Sequence, residues 1–241
     1  MRDFSTALRT RRLVAIVRGT DPDASFRTVM TLVESGVPLV EVSLSGADAL
    51  GVLRRARAEL GPDAWLGAGT VLTADDARRA ADAGANLIVT PGLGAGVDEA
   101  VRTGLPVLGG VLTPTDVIAA EAAGVTALKI FPASAMGGPA YLKALRAPFP
   151  GTAFVPVGGV DAVAAAEYLA LGAVAVGVGS PLIGDAAEGG DLNALRTRAA
   201  VFVRVAETAG PVETAGRAET AAPAQAVDPA ETAAPAQAIR R

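Results

Sequence analysis

Only two lysines occur in this 241-residue chain, Lys129 and Lys143, and there is neither a histidine nor a cysteine. That alone removes whole classes of chemistry. A Ser-His-Asp or Cys-His triad, a thiolate nucleophile and a zinc site with imidazole or thiolate ligands are all impossible. Acid–base work is left to carboxylates, lysine, tyrosine or water. Lys129 stands in the run ALKIFP (127–132), between Leu128 and Ile130, in a chain that writes almost all its other cations as arginine. A guanidinium would serve a structural ion pair at least as well, but it stays protonated and cannot condense with a ketone. A lysine in an apolar surrounding can shed its proton and attack a carbonyl. Lys129 is therefore the candidate Schiff-base nucleophile. Spacing alone leaves open a second reading, in which Lys129 and Glu41 form a buried structural pair. Lys143, in YLKALR, reads as a solvated helix-face residue.

Glu41, in LVEVSL (39–44), is the sole carboxylate inside an apolar, strand-like run, and Arg18 closes the run LVAIVR (13–18). Three charges in such runs are costly unless they meet one another or a ligand. Aldol chemistry needs a base that moves a proton to and from a substrate hydroxyl, and Glu41 is the candidate for it. Two further runs end in glycine, at Gly158-Gly159 and at Gly177 to Ser180, where backbone N–H groups and a hydroxyl can approach a phosphate. GAGT, Gly67 to Thr70, could likewise offer Thr70 to a carboxylate.

The elements that must hold these residues follow a rhythm of short β-rich runs alternating with longer amphipathic stretches, about 20 to 26 residues per unit. Eight runs are found, at 13–18, 39–44, 65–70, 87–91, 107–112, 127–132, 153–158 and 173–179. Helical patterns such as ASFRTVMTLVES, ADDARRAADAG and AVAAAEYLALG lie between them. Thr73 and Asp161 are candidate N-caps, and the glycines closing the last two patterns suit the left-handed position after a helix. Eight βα units behind a lead-in helix near residues 3–11 predict an α/β fold, a (β/α)8 TIM barrel in one domain over residues 1–209. An open, doubly wound sheet is the structural alternative. Catalytic side chains of a barrel project from the C-terminal ends of its strands, where these motifs lie. From 210 to 241 the composition turns to Ala, Pro, Glu and Thr, and AETAAPAQA occurs twice, which predicts a disordered tail.

Composition supports the same class. Half the chain is apolar and only 4 % is aromatic, so Val, Leu, Ile and Ala must do the packing. A net charge of −4 argues against nucleic acid as a partner. No apolar run reaches the roughly 18 to 20 residues of a membrane helix, and no h-region follows the N-terminal charges, so a cytoplasmic location is expected.

Seven motifs, VAIVRG, VEVSL, GAGTVL, VTPGL, LKIFPAS, VGGV and GVGS, occur in order between residues 8 and 205. In this the chain resembles the class I aldolases of 2-keto-3-deoxy-6-phosphogluconate and 2-keto-3-deoxy-6-phosphogalactonate. The resemblance implies that Lys129 is the Schiff-base lysine and Glu41 the general acid/base. It implies that Arg18 and Thr70 contact the pyruvate-derived end, and that Pro91, from VTPGL, joins the substrate-binding set. It places the phosphate on Gly158, Gly159, Gly179 and Ser180. No metal and no cofactor are expected, and the implied assembly is a homotrimer. Ser45 and Val157 depart from the gluconate branch, where Arg and Thr are usual, and Val157 tilts the expectation toward the galactonate epimer, with activity on both. Other readings are cleavage of 4-hydroxy-2-oxoglutarate, a phosphosugar epimerase, and a phosphosugar-binding protein on the same barrel.

Overall fold

The computed structural model describes residues 3–209. The repetitive segment predicted to be a disordered tail, residues 210–241, lies outside the described residues. Eight strands run parallel in the order β7-β6-β5-β4-β3-β2-β1-β8. They are β1 (Leu13–Val17), β2 (Leu39–Ser43), β3 (Trp65–Gly69), β4 (Leu87–Val89), β5 (Val107–Val111), β6 (Ala127–Ile130), β7 (Phe154–Pro156) and β8 (Val176–Val178). A parallel bridge from Val157 to Gly177 joins the two ends of the sheet and closes the (β/α)8 barrel.

Every strand falls within its predicted run and is shorter than it. One consequence corrects the sequence reading: β1 ends at Val17, so Arg18 is an exposed loop residue and not a buried strand charge. Among the strands of the described residues only β2 and β6 carry a charge, Glu41 and Lys129.

The helices are α1 (Phe4–Arg11), α2 (Pro22–Glu34), α3 (Ala49–Leu60), α4 (Ala74–Asp82), α5 (Ala95–Arg102), α6 (Pro114–Ala122), α7 (Pro139–Arg146), α8 (Ala162–Ala170), α9 (Ser180–Ile183) and α10 (Leu192–Thr208); α1, α2, α4 and α8 match the helical patterns read from the sequence, and the short α9 has no counterpart there. Their ends have local causes. Thr73 caps α4 in a reciprocal box with Asp76, and the Asp161 carboxylate accepts from the Ala164 N–H at the start of α8. Gly84 and Gly172, at φ 95° and 88°, turn the chain out of α4 and α8 at a cost only glycine avoids. Among the described residues no helix is long and apolar enough to cross a membrane.

Alternation along the strands sorts side chains into two cores. Outward-facing residues such as Val40, Val42, Leu66, Ile88 and Leu128 pack beneath the helices. Inward-facing Val14, Leu39, Leu87, Leu108, Ala127 and Val155 fill the N-terminal half of the barrel. There α1 acts as a plug: Phe4 and Leu8 are buried in this inner core, and the Phe4 ring meets Trp65 edge-on at 5.2 Å. Burial contributes about 1.5–3 kcal/mol for each such side chain. The C-terminal half is filled differently, and that difference makes the site.

Candidate active site

Toward the C-terminal end of the barrel, several inward positions are glycine: Gly67 and Gly69 on β3, Gly110 on β5 and Gly177 on β8. Each makes room for a neighbour. A Cβ on Gly110 would lie 2.1 Å from the Pro91 carbonyl carbon, and one on Gly177 would lie 2.6 Å from Val157 Cγ2. The space left open is a cavity of about 580 Å³. Arg18, Glu41, Thr70, Pro91, Lys129, Gly158, Gly159, Gly179 and Ser180 all line it, so the structure brings the whole set of sequence candidates together. A second cavity, of about 730 Å³, opens at the opposite end of the barrel around Phe4, Trp65 and Pro106, and among the described residues no lysine or arginine lines it.

Lys129 is 6 % exposed, with Nζ 5.3 Å from the centroid of the Phe131 ring. Glu41 is 1 % exposed. Burial pushes the Glu41 carboxyl above its ordinary range, against the opposing fields of Lys129 and Arg18. Lys129 reaches Glu41 through that field without a hydrogen bond, and among the described residues no ion pair joins the two. The buried structural pair is therefore not formed as a direct contact. Among the described residues Glu41 Oε2 has no hydrogen-bond partner. Glu41 lines the cavity with bonding capacity of its carboxyl unused, so it can exchange a proton with a ligand there.

Arg18, Thr70 and Ser45 converge on one hydroxyl. Ser43, inward on β2 and fully buried, accepts from Arg18 Nε at 3.3 Å and lies 2.8 Å from both Thr70 Oγ1 and Ser45 Oγ. Thr70 adopts φ 60°, a left-handed conformation that a β-branched residue avoids at a cost of about 1–3 kcal/mol. In this conformation its hydroxyl meets Ser43.

The glycine loops form the other wall. Gly158 and Gly159 have φ 99° and 70°, and the loop after β6 braces them, with the Ala133 N–H donating to Val157 O at 2.8 Å and the Ser134 N–H to Gly158 O at 3.1 Å. Arg198 on α10 donates to Leu182 O at 2.7 Å and Ile183 O at 2.8 Å, fixing the segment that begins at Ser180. Glu188 accepts from the Thr20 N–H at 3.0 Å and ties the loop after β1 to this segment. Lys143 is exposed on α7, as its sequence context suggested.

Sequence reasoning missed Ser43, Phe131, Ile16, Pro181, Ile183 and Gly184. Ser43 and Phe131 were within reach of the period-two rule, since each stands two residues after a candidate, Glu41 and Lys129, and so shares its face. Nothing local marked the others.

Known proteins resemble this chain in sequence and in fold. The family model "KDPG and KHG aldolase" matches residues 4–197. The 2-dehydro-3-deoxy-6-phosphogalactonate aldolase of Escherichia coli is 38 % identical over 172 residues, 70 % of this chain and 83 % of that protein. The 2-dehydro-3-deoxy-phosphogluconate aldolase of Pseudomonas aeruginosa is 40 % identical over 173 residues, 70 % of this chain and 76 % of that protein. A solved 4-hydroxy-2-oxoglutarate/2-dehydro-3-deoxyphosphogluconate aldolase from TTHB1 superposes with a TM-score of 0.74 at 35 % identity, covering 86 % of this chain and all of the other. The chain belongs to the KDPG and KHG aldolase family.

Proposed function

We propose that this chain is a metal-independent class I aldolase that cleaves 2-keto-3-deoxy-6-phosphogalactonate, and with it the gluconate epimer, to pyruvate and D-glyceraldehyde 3-phosphate. The observation that carries the reading is a buried lysine, Lys129, sharing one cavity with a buried carboxylate, Glu41, that has an unpartnered oxygen.

The chemistry follows from those two groups. The Lys129 amine adds to the C2 ketone, and loss of water leaves a protonated imine. Glu41 takes the proton of the C4 hydroxyl, the C3–C4 bond breaks, and its electrons pass into the imine to give an enamine. The aldehyde leaves. Protonation of the enamine at C3 and hydrolysis release pyruvate and restore the amine. Arg18 and Thr70 hold the carboxylate of the pyruvate half. Gly158, Gly159, Gly179 and Ser180 hold the phosphate through backbone N–H groups and a hydroxyl. A homotrimer belongs to the same reading, and sedimentation of the protein in solution measures it.

A second substrate, 4-hydroxy-2-oxoglutarate, is favoured by the TTHB1 relative. It shares the pyruvate half and the C4 hydroxyl, and carries a C5 carboxylate in place of the phosphorylated C5–C6 arm.

Intact-mass spectrometry after incubation with pyruvate and borohydride tests the imine. One pyruvate-derived adduct per chain is expected, absent in Lys129→Arg. A folded wild-type protein that takes up no adduct would remove the imine, and an epimerase or a binding protein would take its place.

A further inference from the structure

We infer that Ser43 is the positioning residue of the pyruvate end: its hydroxyl orients Arg18 and turns the Thr70 hydroxyl so that its hydrogen faces the cavity. This rests on the aldolase reading, and it concerns a residue that touches no substrate.

The argument is a count of donors and acceptors. A serine hydroxyl has one hydrogen to give and two lone pairs to receive with. Ser43 Oγ has three partners, Arg18 Nε at 3.3 Å, Ser45 Oγ at 2.8 Å and Thr70 Oγ1 at 2.8 Å, and it is fully buried, so no solvent competes for its remaining capacity. The guanidinium can only donate and occupies one lone pair. One of the two neighbouring hydroxyls must therefore donate to Ser43 and the other must accept from it. If Thr70 donated, its lone pairs would face the cavity and repel an anion. If Thr70 accepts, its own hydrogen is free to bond a carboxylate, beside a guanidinium whose Nε is already fixed. An anionic ligand selects the second arrangement, with Ser45 donating to Ser43.

Two further observations fit a built device. The backbone at Thr70 is held at φ 60°, a conformation a β-branched residue avoids, while its hydroxyl lies 2.8 Å from Ser43. Ser43 stands two residues beyond Glu41 on β2 and pairs with Gly69 on β3, so one strand sets both the base and the anchor of the carboxylate site.

The test is borohydride trapping as a function of pyruvate concentration, read by intact mass, in wild type, Ser43→Ala and Ser43→Thr. Ser43→Ala removes one oxygen and adds no bulk. It is expected to raise the half-saturating pyruvate concentration at least about tenfold, while the trapping rate at saturation stays within about threefold. Ser43→Thr, which restores the hydroxyl, is expected to recover most of that affinity. Acetone, a ketone without a carboxylate, should be trapped equally by wild type and Ser43→Ala, which a general loss of structure would not allow. Wild-type trapping with an unchanged half-saturation in Ser43→Ala, or an equal loss with acetone, overturns the role of Ser43 and leaves the imine standing. Failure of wild type to trap pyruvate overturns the aldolase reading and this one with it.

Discussion

Gly69 on β3 vacates the space that the Glu41 carboxylate on β2 occupies: a Cβ at position 69 would lie 2.1 Å from Oε1 and 2.7 Å from the carboxyl carbon. No rotamer shift of the alanine relieves this, because Cβ is fixed by the backbone, so Gly69→Ala must displace the carboxylate itself. A displacement near 1 Å at a catalytic group costs about 10²-fold in rate. Gly69→Ala is expected to lower kcat for aldol cleavage about 100-fold while pyruvate is still trapped on Lys129 by borohydride. Steady-state kinetics alongside intact mass separate the two. Loss of both together would mean that the substitution disturbs the barrel rather than the base.

Burial raises the carboxyl of Glu41, so the protonated form fits the fold better than the ionised one. Stability from this group is complete below the unfolded value of about 4.5 and is lost as pH rises through the folded value. Glu41→Gln, which keeps the shape without the charge, should therefore melt at a higher temperature than wild type at pH 8. The gain should shrink on acidification and vanish below about pH 4.5. Thermal melts from pH 4 to pH 8 measure it, and a variant less stable than wild type at pH 8 would show that the field of Lys129 outweighs desolvation. The same substitution should abolish cleavage, which is the usual tension between stability and function at a buried charge.

How much of this was legible in the sequence depends on the range of the signal. The eight strands are legible because period and turn glycines are local, and each run reads longer than its strand because the strand-like composition continues into loops: Arg18, Thr70 and Pro91 follow their strands, outside the ladders. Lys129 and Glu41 stood out because a charge among Val, Leu and Ile is conspicuous. Ser43 did not, since a serine in a strand is unremarkable until Arg18, from 25 residues away, and Thr70, from 27, are seen to meet on it. The emptied interior at Gly67, Gly69 and Gly110 was invisible for a similar reason. Which face a glycine occupies is settled only by the register of the neighbouring strands.

Gly159, at φ 70°, gives the proposed phosphate loop its shape, and a Cβ there would lie 2.6 Å from Ser134 Cβ. Gly159→Ala is strained in backbone and clashes with the loop that braces it, so it should deform the proposed phosphate wall and leave Lys129 and Glu41 in place. The expected outcome is a KM for the phosphorylated substrate raised at least about tenfold, with turnover of unphosphorylated 4-hydroxy-2-oxoglutarate within about threefold of wild type. A phosphate site is worth several charge-assisted hydrogen bonds, each about 1.5–3 kcal/mol, which makes tenfold a lower bound. Equal losses on both substrates would place the phosphate elsewhere.

Val157 lines the cavity directly before Gly158, is 4 % exposed and presents methyl groups only. Threonine has nearly the same shape and differs by one hydroxyl, so Val157→Thr asks a single question of the substrate: whether a C4 hydroxyl lies in reach. If the gluconate epimer directs its hydroxyl there, the new bond contributes about 0.5–1.5 kcal/mol, a factor of about 2 to 12 in kcat/KM. The galactonate epimer, which offers no partner, leaves the hydroxyl buried and unpaired and loses activity for that reason. The ratio of kcat/KM values, gluconate over galactonate, is therefore expected to rise by about tenfold, from changes of opposite sign. The free protein should melt lower than wild type, since an empty site leaves the Thr hydroxyl poorly partnered, and binding of the gluconate substrate should return part of that loss. A ratio that does not move, with the melting temperature lowered, would show that the hydroxyl is buried but out of reach of C4, and epimer choice would then have to come from another part of the cavity wall.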